Sequence, residues 1–583
     1  MCGILGIHNL SGNSKQLQTK VPEALSTLSK RGPDDSGIVH REKCTLAQTR
    51  LSILDLTGGH QPMKDTESNT WLSFNGEIYN FTELRTELEK LGHVFTTTGD
   101  TEVIIKTYKE YGEKCVEKLD GMFAFALWDE DKEILLLARD RFGKKPLYVH
   151  RDDDTLFFAS EIKTLMKLVA NPFTINPEAI NAYLTLSYIP PTLCIYNEVA
   201  SLLPAHYLIY KNNQAETVRY WELKNSPLSI SYDDARSEAK RLLTKAVSKR
   251  MIADVEIGSL LSGGVDSSLV SMIATKYSDK PLKTFSIKYG DDIDETQYAK
   301  EVSHKINSEL SIIDANSRNI LEELSKIQNY LDEPLGDSSL FPQHIISELA
   351  SSKVKVVLTG DGADELAMGY GWYFKYWNLS KKEWFRTRLL SDQFSEYIPY
   401  ISIFTDKEKK LLLKNKLPGS RFIHADGNGA LQRINNFDIG TYLPGQLLTK
   451  IDRTSMMHSL EVRSPFLDTE LAEFIYNLPT EYKMDKHSGK IIIKDIFTDF
   501  MPKDFVHRKK QGFGAPMDSW LHEKNIREYV QTMILPNSHL SEYLNVTELE
   551  RTVEEFYAGN KKYAHKIWTL LNLEIWLSVK NHS

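Results

Sequence analysis

The sequence predicts a two-domain protein, in which a layered α+β domain is followed by an α/β domain with a parallel sheet and a mainly helical C-terminal part. Three observations support this expectation. At 583 residues, the chain is too long for a single hydrophobic core. Up to about residue 210, short strands alternate with turns and amphipathic helices, whereas later strands are separated by helices. We therefore expect domains at residues 2–212 and 235–583.

The first domain is expected to begin with an apolar strand at residues 3–7. Strands at residues 146–149 and 155–158 flank an aspartate-rich turn, which predicts a hairpin. Polar residues between 211 and 234 predict a boundary region, and a long helix should begin near Tyr232.

The second domain contains three apolar segments that are each followed by a helical pattern. They predict buried strands of a parallel sheet at residues 255–261, 283–287 and 354–359. Beyond about residue 375 the pattern becomes mainly helical.

Composition and charge exclude several classes of protein. A net charge of −8 and a pI near 6.1 give no electrostatic footprint for nucleic acid. No apolar run approaches the ~18 residues of a membrane span, and the N-terminus lacks a signal-peptide pattern, so we expect a cytoplasmic protein without membrane partners. The cysteines are far apart and lack a CxxC motif, which argues against a zinc site or disulfide framework. They are Cys2, Cys44, Cys115 and Cys194.

Cys2 is the first candidate catalytic residue. Removal of Met1 would leave a free α-amine beside its thiol. A terminal α-amine titrates at roughly 7.7–8.0 and a free thiol at roughly 8.5, so near neutral pH the amine can accept the thiol proton directly or through water. The pair predicts an N-terminal nucleophile. The alternative is that Cys2 merely begins the first buried strand.

A second candidate site is Ser262-Gly263-Gly264-Val265-Asp266-Ser267-Ser268, which follows a predicted strand and precedes an apolar helix. Glycine and serine at such a turn expose backbone N–H groups where the helix dipole favours an anion. The segment therefore predicts a phosphate-binding loop, and it resembles that of the ATP-pyrophosphatases. The sequence has neither a GxxxxGK[ST] nor a GxGxxG loop. The alternative is an ordinary glycine turn with Ser267 as helix cap.

An acidic loop, Thr359-Gly360-Asp361-Gly362-Ala363-Asp364-Glu365, leaves another predicted strand. In a parallel sheet it would open on the same edge as the phosphate loop. Magnesium prefers carboxylates together with substrate phosphates, so we expect Asp266 and Asp364 to bind Mg²⁺. Considered alone, the acidic loop would more often be a capped turn.

Together these motifs resemble the glutamine-hydrolysing asparagine synthetases over nearly the whole chain. The first half is similar to the class II glutamine amidotransferase domain, an N-terminal-nucleophile hydrolase with α-β-β-α layers. Its motifs lie at residues 1–4, 31–34, 50–53, 74–80 and 99–102. The second half resembles the synthetase domain of ATP-pyrophosphatase type, with an adenine nucleotide alpha hydrolase-like sheet. Besides the two loops above, its motifs lie at residues 447–453, 459–468 and 489–494.

The resemblance implies how the first domain would bind glutamine. Arg50 offers a planar fork for the α-carboxylate, while Glu77 and Asp100 would hold the α-ammonium group. Asn75 and the N–H of Gly76 would form an oxyanion hole, in which one donor is typically worth ~10²–10³ in rate. The glutamine-binding segment also includes Leu51, Ser52, Ile53 and Leu54.

The resemblance also implies the functional residues of the second domain. Lys494 is expected to stabilise the adenylate as it forms. Asp361 occupies the position of an acidic residue linked to forming or consuming the acyl-adenylate, where the best-known asparagine synthetases have glutamate. Ala367-Met368 replaces the Phe-Gly of many members. The expected ATP contacts are Leu260, Ser262, Gly263, Gly264, Asp266, Ser267, Ile287, Thr359 and Gly360.

The reaction implied by the resemblance uses glutamine, aspartate and Mg-ATP. Cys2 would release ammonia from glutamine, and a channel between the domains would carry it to β-aspartyl-AMP, giving asparagine, glutamate, AMP and pyrophosphate. A homodimer is expected because the family often forms one.

Other assignments stay open at this point. The same machinery could amidate another carboxylate, such as a sugar uronate in surface-polysaccharide biosynthesis. β-Lactam synthetases share both domain types, but by resemblance they lack the N-terminal cysteine and have tyrosine at the position of Asp361. A binding or regulatory protein could keep the fold without catalysis, although every expected catalytic residue is present here.

Overall fold

The computed structural model describes residues 2–9, 11, 15–288, 295–374, 394–415, 425–427, 430–508 and 516–580. Within these ranges, no helix is both long and apolar enough to cross a membrane. All four cysteines are buried as free thiols.

The first domain is built on twelve strands. They are β1 Gly3–Asn9, β2 Asp35–His40, β3 Cys44–Arg50, β4 Met63–Lys64, β5 Thr70–Ile78, β6 Gly121–Asp129, β7 Ile134–Arg139, β8 Tyr148–Asp152, β9 Thr155–Ala159, β10 Val199–Ser201, β11 His206–Lys211 and β12 Gln214–Arg219. They form two antiparallel sheets with the orders β10-β8-β9-β1-β3-β2 and β12-β11-β7-β6-β5-β4. The expected hairpin is confirmed as β8 and β9.

The two sheets stack face to face, and helices cover their outer faces. Apolar side chains such as Trp128 fill the space between the sheets. Helices Phe81–Lys90 and Thr101–Tyr111 pack on the outside of the second sheet, while Lys15–Ser26 and Ile162–Leu168 pack on the first. The domain thus has the expected α-β-β-α order, and the shorter helices Cys115–Lys118 and Pro177–Leu186 complete it.

The polar segment after residue 211 contains one more strand than its composition suggests. β12 pairs with β11, so the sheet continues past residue 212. Most side chains of β12 are exposed because it is an edge strand, and this explains their polar character. The helix Tyr232–Arg250 begins at the expected residue, where the Ser231 side chain accepts a hydrogen bond from the N–H of Asp234.

The second domain is built on a five-stranded parallel sheet. Its strands are β13 Ile257–Leu260, β14 Lys283–Lys288, β15 Glu309–Asp314, β16 Val356–Leu358 and β17 Glu461–Arg463. The order is β15-β14-β13-β16-β17. The three strands expected from the sequence are confirmed as β13, β14 and β16. Because the strand order reverses between β13 and β16, the loops at their carboxyl ends diverge and leave a crevice, the usual ligand site of such sheets.

Helices surround this sheet and make up most of the C-terminal part. They are Val265–Ala274, Thr296–Ile306, Ile320–Tyr330, Leu340–Ser351, Ala363–Leu366, Phe394–Ile401, Asp406–Leu412, Ala430–Phe437, Leu448–Met456, Thr469–Asn477, Thr480–Lys483, Ile491–Phe497, Lys503–Val506, Met517–Leu521, Lys524–Thr532, Leu540–Tyr543, Val546–Tyr557 and Ala564–Lys580. A π-helical segment, Asp438–Leu447, runs directly into Leu448–Met456.

Candidate active sites

Cys2 lies just before β1 and is held through its backbone at both ends. Its N–H donates to Asn75 Oδ1 at 3.0 Å, and its carbonyl oxygen accepts from Arg31 Nε at 3.1 Å. The residue is 8% exposed. Burial raises the pKa of the Cys2 thiol, although the backbone of Leu51 and the charge of Arg50 act in the opposite direction. The thiol therefore needs a nearby base to become a nucleophile.

Asn75 and Gly76 lie on β5, beside Cys2. Asn75 Nδ2 is buried and has no hydrogen-bond partner among the described residues, although its Oδ1 is bound to Cys2. A buried donor without a partner is costly, so it indicates a place for an acceptor oxygen. Gly76 has φ +154°, and an added Cβ would lie 2.0 Å from the Met122 carbonyl oxygen. This close packing permits only glycine at the position.

The three residues expected to hold the glutamine backbone are already engaged by protein groups. Arg50 donates from Nη2 to the carbonyl oxygens of Leu54 and Asp55, at 3.0 and 2.7 Å. Asp100 accepts the N–H of Ile78 at 2.9 Å, and burial raises its pKa to about 6. These contacts fix both side chains before any ligand arrives.

Glu77, the third of these residues, is held from the other domain. Its Oε1 lies 3.2 Å from Arg463 Nη2 in β17. Arg463 is fully buried, and its Nε also lies 2.6 Å from Glu461 Oε1. Part of the first site is therefore positioned by the second domain.

The segment Leu51–Leu54 forms one wall beside Cys2 and is fixed by two aspartates. The N–H of Ser52 donates to Asp34 Oδ2 at 2.8 Å, and the carbonyl oxygen of Ile53 accepts the N–H of Asp254 at 2.9 Å. Asp254 precedes β13, so this wall is also braced by the second domain.

A cavity of about 890 Å³ lies at the carboxyl ends of β13 and β16, in the crevice described above. Most of the expected ATP-site residues line it. They are Leu260, Ser262, Gly264, Asp266, Ser267, Ile287, Thr359 and Gly360. Gly263 does not line the cavity; its carbonyl oxygen accepts a hydrogen bond from Arg508.

The phosphate-loop candidate adopts the strand–loop–helix geometry that its sequence predicts. Gly264 directly precedes the helix Val265–Ala274, and its N–H donates to Ser262 Oγ at 3.2 Å. The hydroxyls of Ser262 and Ser267 lie 2.9 Å apart. An added Cβ on Gly360 would lie 2.7 Å from both Asp266 Cβ and Ser267 N, so the acidic loop packs directly on this helix start.

Lys490 lies between the two carboxylates expected to bind magnesium. Its Nζ is 2.5 Å from Asp266 Oδ2 and 2.8 Å from Asp364 Oδ1. Burial disfavours its charge, but the two aspartates raise the pKa of Lys490 above its usual value. Lys494 also lines the cavity and donates to Ser488 Oγ at 2.5 Å. Lys494, not Lys490, is the lysine expected from the sequence to act here. Lys490 directly precedes the helix Ile491–Phe497 and has a left-handed backbone, with φ 55°.

Family models match both domains of this two-site chain. The model described as asparagine synthase matches residues 238–578. The chain belongs to the asparagine synthetase family. A second model, described as a glutamine amidotransferase domain, matches residues 1–221.

Three curated relatives have names of the same kind. Asparagine synthetase [glutamine-hydrolyzing] 1 of Bacillus subtilis is 31% identical, with 99% of this chain and 97% of that protein covered. Asparagine synthetase [glutamine-hydrolyzing] 3 of the same organism is 30% identical over 91% of this chain and 90% of its own length. A putative asparagine synthetase of Methanocaldococcus jannaschii is 36% identical, with 64% of this chain and 76% of that protein covered.

The donor set at the synthetase cavity fits a magnesium ion that is shared with a nucleotide. Asp266 Oδ1 is buried without a hydrogen-bond partner in the described part of the chain, as expected for an acceptor that awaits a cation. Over the same residues, no group of three or more His, Cys, Asp or Glu side chains is arranged to hold a metal ion. Two carboxylates therefore suit magnesium only when phosphate oxygens supply further ligands.

Asp361, the remaining residue expected to be catalytic, lines the same cavity. Burial raises the pKa of its carboxyl group, while the hydroxyl of Thr359 and the charges of Lys450 and Lys144 lower it. Lys144 belongs to the first domain, so a charge from that domain contributes to the electrostatic environment of Asp361.

Buried ion pairs join the two halves of this synthetase. Arg31 pairs with Asp452 at 2.8 Å, and Arg453 pairs with Glu161 at 2.9 Å. Asp452 and Arg453 are neighbours on the helix Leu448–Met456. Arg31, Asp452 and Arg453 belong to motifs quoted above, whereas Glu161 lies outside them, and no local pattern indicates that these residues pair across the domains.

Proposed function

We propose that this chain is an ATP-dependent asparagine synthetase. It hydrolyses glutamine at Cys2 and transfers the ammonia to β-aspartyl-AMP formed from aspartate and ATP. The products are asparagine, glutamate, AMP and pyrophosphate. The observation that carries the proposal is the presence of two complementary sites on one chain. One has a buried thiol beside Asn75, whose Nδ2 has no hydrogen-bond partner among the described residues, and the other has a phosphate loop beside Lys490.

The glutaminase step begins with the Cys2 thiol. Met1 lies outside the described residues, and its removal is part of the proposal. The freed α-amine, placed by Asn75 Oδ1, takes the thiol proton, and Sγ attacks the side-chain amide carbon of glutamine. Asn75 Nδ2 and the N–H of Gly76 stabilise the oxyanion. The C–N bond breaks as the amine returns its proton, ammonia leaves, and water cleaves the thioester to release glutamate.

The synthetase step begins with a carboxylate oxygen of aspartate. It attacks the α-phosphorus of ATP, and pyrophosphate leaves into the loop Ser262–Ser267, where backbone N–H groups favour an anion. Lys490 stabilises the charge that develops on the phosphate oxygens. Lys494 supplies a second positive charge that stabilises the adenylate as it forms. Ammonia then adds to the acyl carbon, Asp361 accepts a proton, and AMP leaves.

Magnesium belongs to the same proposal. Asp266 and Asp364 would hold it together with phosphate oxygens of ATP, and it would neutralise charge on the leaving pyrophosphate. Lys490 must then give up at least one of its two carboxylate contacts and becomes available to the nucleotide.

Glutamine recognition is assigned to the residues around Cys2. Arg50 would bind the α-carboxylate with help from the Leu51–Leu54 wall, and Glu77 with Asp100 would bind the α-ammonium group. Domain limits near 2–212 and 235–583, an ammonia channel, a cytoplasmic location and a homodimer stay predictions. Size-exclusion chromatography with light scattering would decide the last.

The test is pyrophosphate release with glutamine and Mg-ATP, comparing aspartate with a panel of other carboxylic acids that includes sugar uronates. Among the acids compared, we expect only aspartate to support turnover. Cys2→Ala should work only with added ammonium, whereas Cys44→Ala, which removes another buried thiol of the first domain, should keep glutamine-dependent turnover. If aspartate is inert while another acid reacts, the acceptor assignment is wrong although the two-site mechanism stands.

A further inference from the structure

Lys450, Asp337 and Ser339 form a charged cluster on the cavity wall that the mechanism above does not use. Lys450 Nζ donates to Asp337 Oδ2 at 3.0 Å and to Ser339 Oγ at 2.7 Å. Asp337 Oδ1 also accepts the N–H of Ser339 at 2.8 Å and its hydroxyl at 2.7 Å. The cluster is fixed by these contacts before any ligand binds.

We propose that Lys450 and Asp337 bind the α-amino-acid end of the acceptor, Lys450 its α-carboxylate and Asp337 its α-ammonium group. The inference rests on the proposed function and adds the basis of acceptor specificity. Both residues line the cavity, and Lys450 is close enough to Asp361 to lower the pKa of that carboxyl group. The cluster therefore lies beside the group proposed to receive the proton from ammonia.

The charges of the cluster match a zwitterion. An α-amino acid presents a cation and an anion on one carbon atom, and the Lys450–Asp337 pair presents the opposite charges side by side. Two of the three N–H donors of Lys450 are used by described residues, and the third is left for a ligand. Because the pair is nearly buried, its contacts with a charged ligand should be stronger than on an open surface.

The same cluster disfavours acceptors of other chemistry. A sugar uronate would place neutral hydroxyl groups where the charged pair expects ions. A linear diacid lacks the cation, and an ω-amino acid lacks the second anion. Each would leave one member of the pair less well compensated, which is the usual source of strong discrimination.

The ring of Tyr442 completes this end of the cavity. It packs edge-to-face on Tyr370, with ring centroids 5.7 Å apart, and both residues line the cavity. These rings offer apolar surface against which the methylene segment of aspartate can pack.

The test compares three acceptors that differ by one charged group: aspartate, β-alanine without the α-carboxylate, and succinate without the α-ammonium group. The value of kcat/KM is measured from pyrophosphate release with Mg-ATP and ammonium, which bypasses Cys2. The wild-type protein should prefer aspartate over each analogue by about 10- to 100-fold, the size of a lost charged hydrogen bond. Lys450→Gln should abolish the preference over β-alanine, and Asp337→Asn the preference over succinate.

Two further variants test whether a changed preference reflects lost recognition of the acceptor or a general effect on folding. Lys450→Arg keeps a cation and should retain most of the preference over β-alanine. Lys409 is a matched control, because it is also a buried lysine bound to a hydroxyl, Thr185 Oγ1 at 2.5 Å, and to a carboxylate, Asp406 at 3.0 Å. Lys409→Gln should leave both preferences unchanged.

The outcomes separate this inference from the proposed function. If Lys450→Gln and Asp337→Asn slow all three acceptors by the same factor, the cluster does not read the amino-acid end and the inference is wrong. If Lys450→Gln does not fold, the Lys450→Arg and Asp337→Asn ratios still decide. If the wild-type protein does not use aspartate at all, the proposed function itself fails.

Discussion

Arg31 and Asp452 form a two-point ion pair between the domains, with Nη1 to Oδ2 at 2.8 Å and Nη2 to Oδ1 at 3.1 Å. Both side chains are buried. Arg31 also holds the carbonyl oxygen of Cys2, and Asp452 lies two residues after Lys450 on the same helix. The Arg31 guanidinium and the helix Leu448–Met456 thus connect Cys2 with the cavity of the second domain.

Asp452→Asn should make the position of Cys2 less fixed, because Arg31 loses its charged partner, without removing any catalytic group. Breaking a buried ion pair typically costs about 3–5 kcal/mol, and the amide keeps the shape, so we expect a loss toward the lower end of that range. The value of kcat/KM for glutamine should fall about tenfold, a change of about 1.4 kcal/mol. Glutamate release and thermal unfolding measure the two effects.

The control for this variant is Lys249→Gln. It breaks another interdomain pair, with Asp120 at 2.8 Å, in a less buried place. Glutamine kinetics should then stay near wild type. Equal effects of the two variants on glutamine would mean that the Arg31 pair contributes only general stability.

Lys490→Gln should reduce pyrophosphate formation by about 10²–10³ with either glutamine or ammonium, because one preorganised charge at the phosphates is lost. Lys494→Gln should be milder, since Lys494 Nζ donates to the neutral hydroxyl of Ser488, whereas Lys490 contacts two carboxylates at the phosphate loop. Glutamate release without ATP should be unchanged in both. A larger defect in Lys494→Gln would restore the assignment made from the sequence alone.

Gly360→Ala should weaken ATP binding. The added Cβ would meet Asp266 and the backbone of Ser267 at 2.7 Å, so one of the two loops must move. We expect the KM for ATP to rise more than tenfold while glutamine hydrolysis is preserved. Gly371→Ala is the control, since its Cβ meets nothing within 4 Å. An unchanged KM in Gly360→Ala would show that the loops can shift without cost.

Asp438 should make stability depend on pH. Burial raises its pKa from 3.8 to about 7, although three donors, Tyr373 OH, Trp372 Nε1 and Tyr397 OH, oppose this. The native state then keeps a proton that the unfolded chain releases, so stability falls as pH rises between these two values and is level above them.

Asp438→Asn removes this titration. The melting temperature of the variant relative to wild type should therefore be higher at pH 7.5 than at pH 5, by the equivalent of about 1–3 kcal/mol. Differential scanning calorimetry at the two pH values measures it. A difference that is the same at both values would mean that Asp438 is already ionised in the native protein.

Features that depend on neighbouring residues could be predicted from the sequence. The loops at 262–268 and 359–365 follow apolar strands, and the strand order places both at one crevice. The layered first domain and the helix at Tyr232 follow from similar local patterns. β12 was not expected, because an exposed edge strand has the same polar composition as a linker.

Pairings between distant residues could not be predicted in this way. Lys490 and Asp266 are 224 positions apart, and nothing local distinguishes Lys490 from Lys494 in their shared motif. Only tertiary packing places one of them between two carboxylates. The same holds for the Lys450–Asp337 pair, whose members belong to different elements.

Arg463 limits how freely the two halves could be recombined. Its guanidinium is buried and forms ion pairs with Glu77 of the first domain and Glu461 of the second. A glutaminase domain grafted onto a synthetase without this arginine would bury the Glu77 carboxylate at the interface without its counterion, at a cost of several kcal/mol. Chimeric proteins built from this chain should therefore exchange strand β17 together with the first domain.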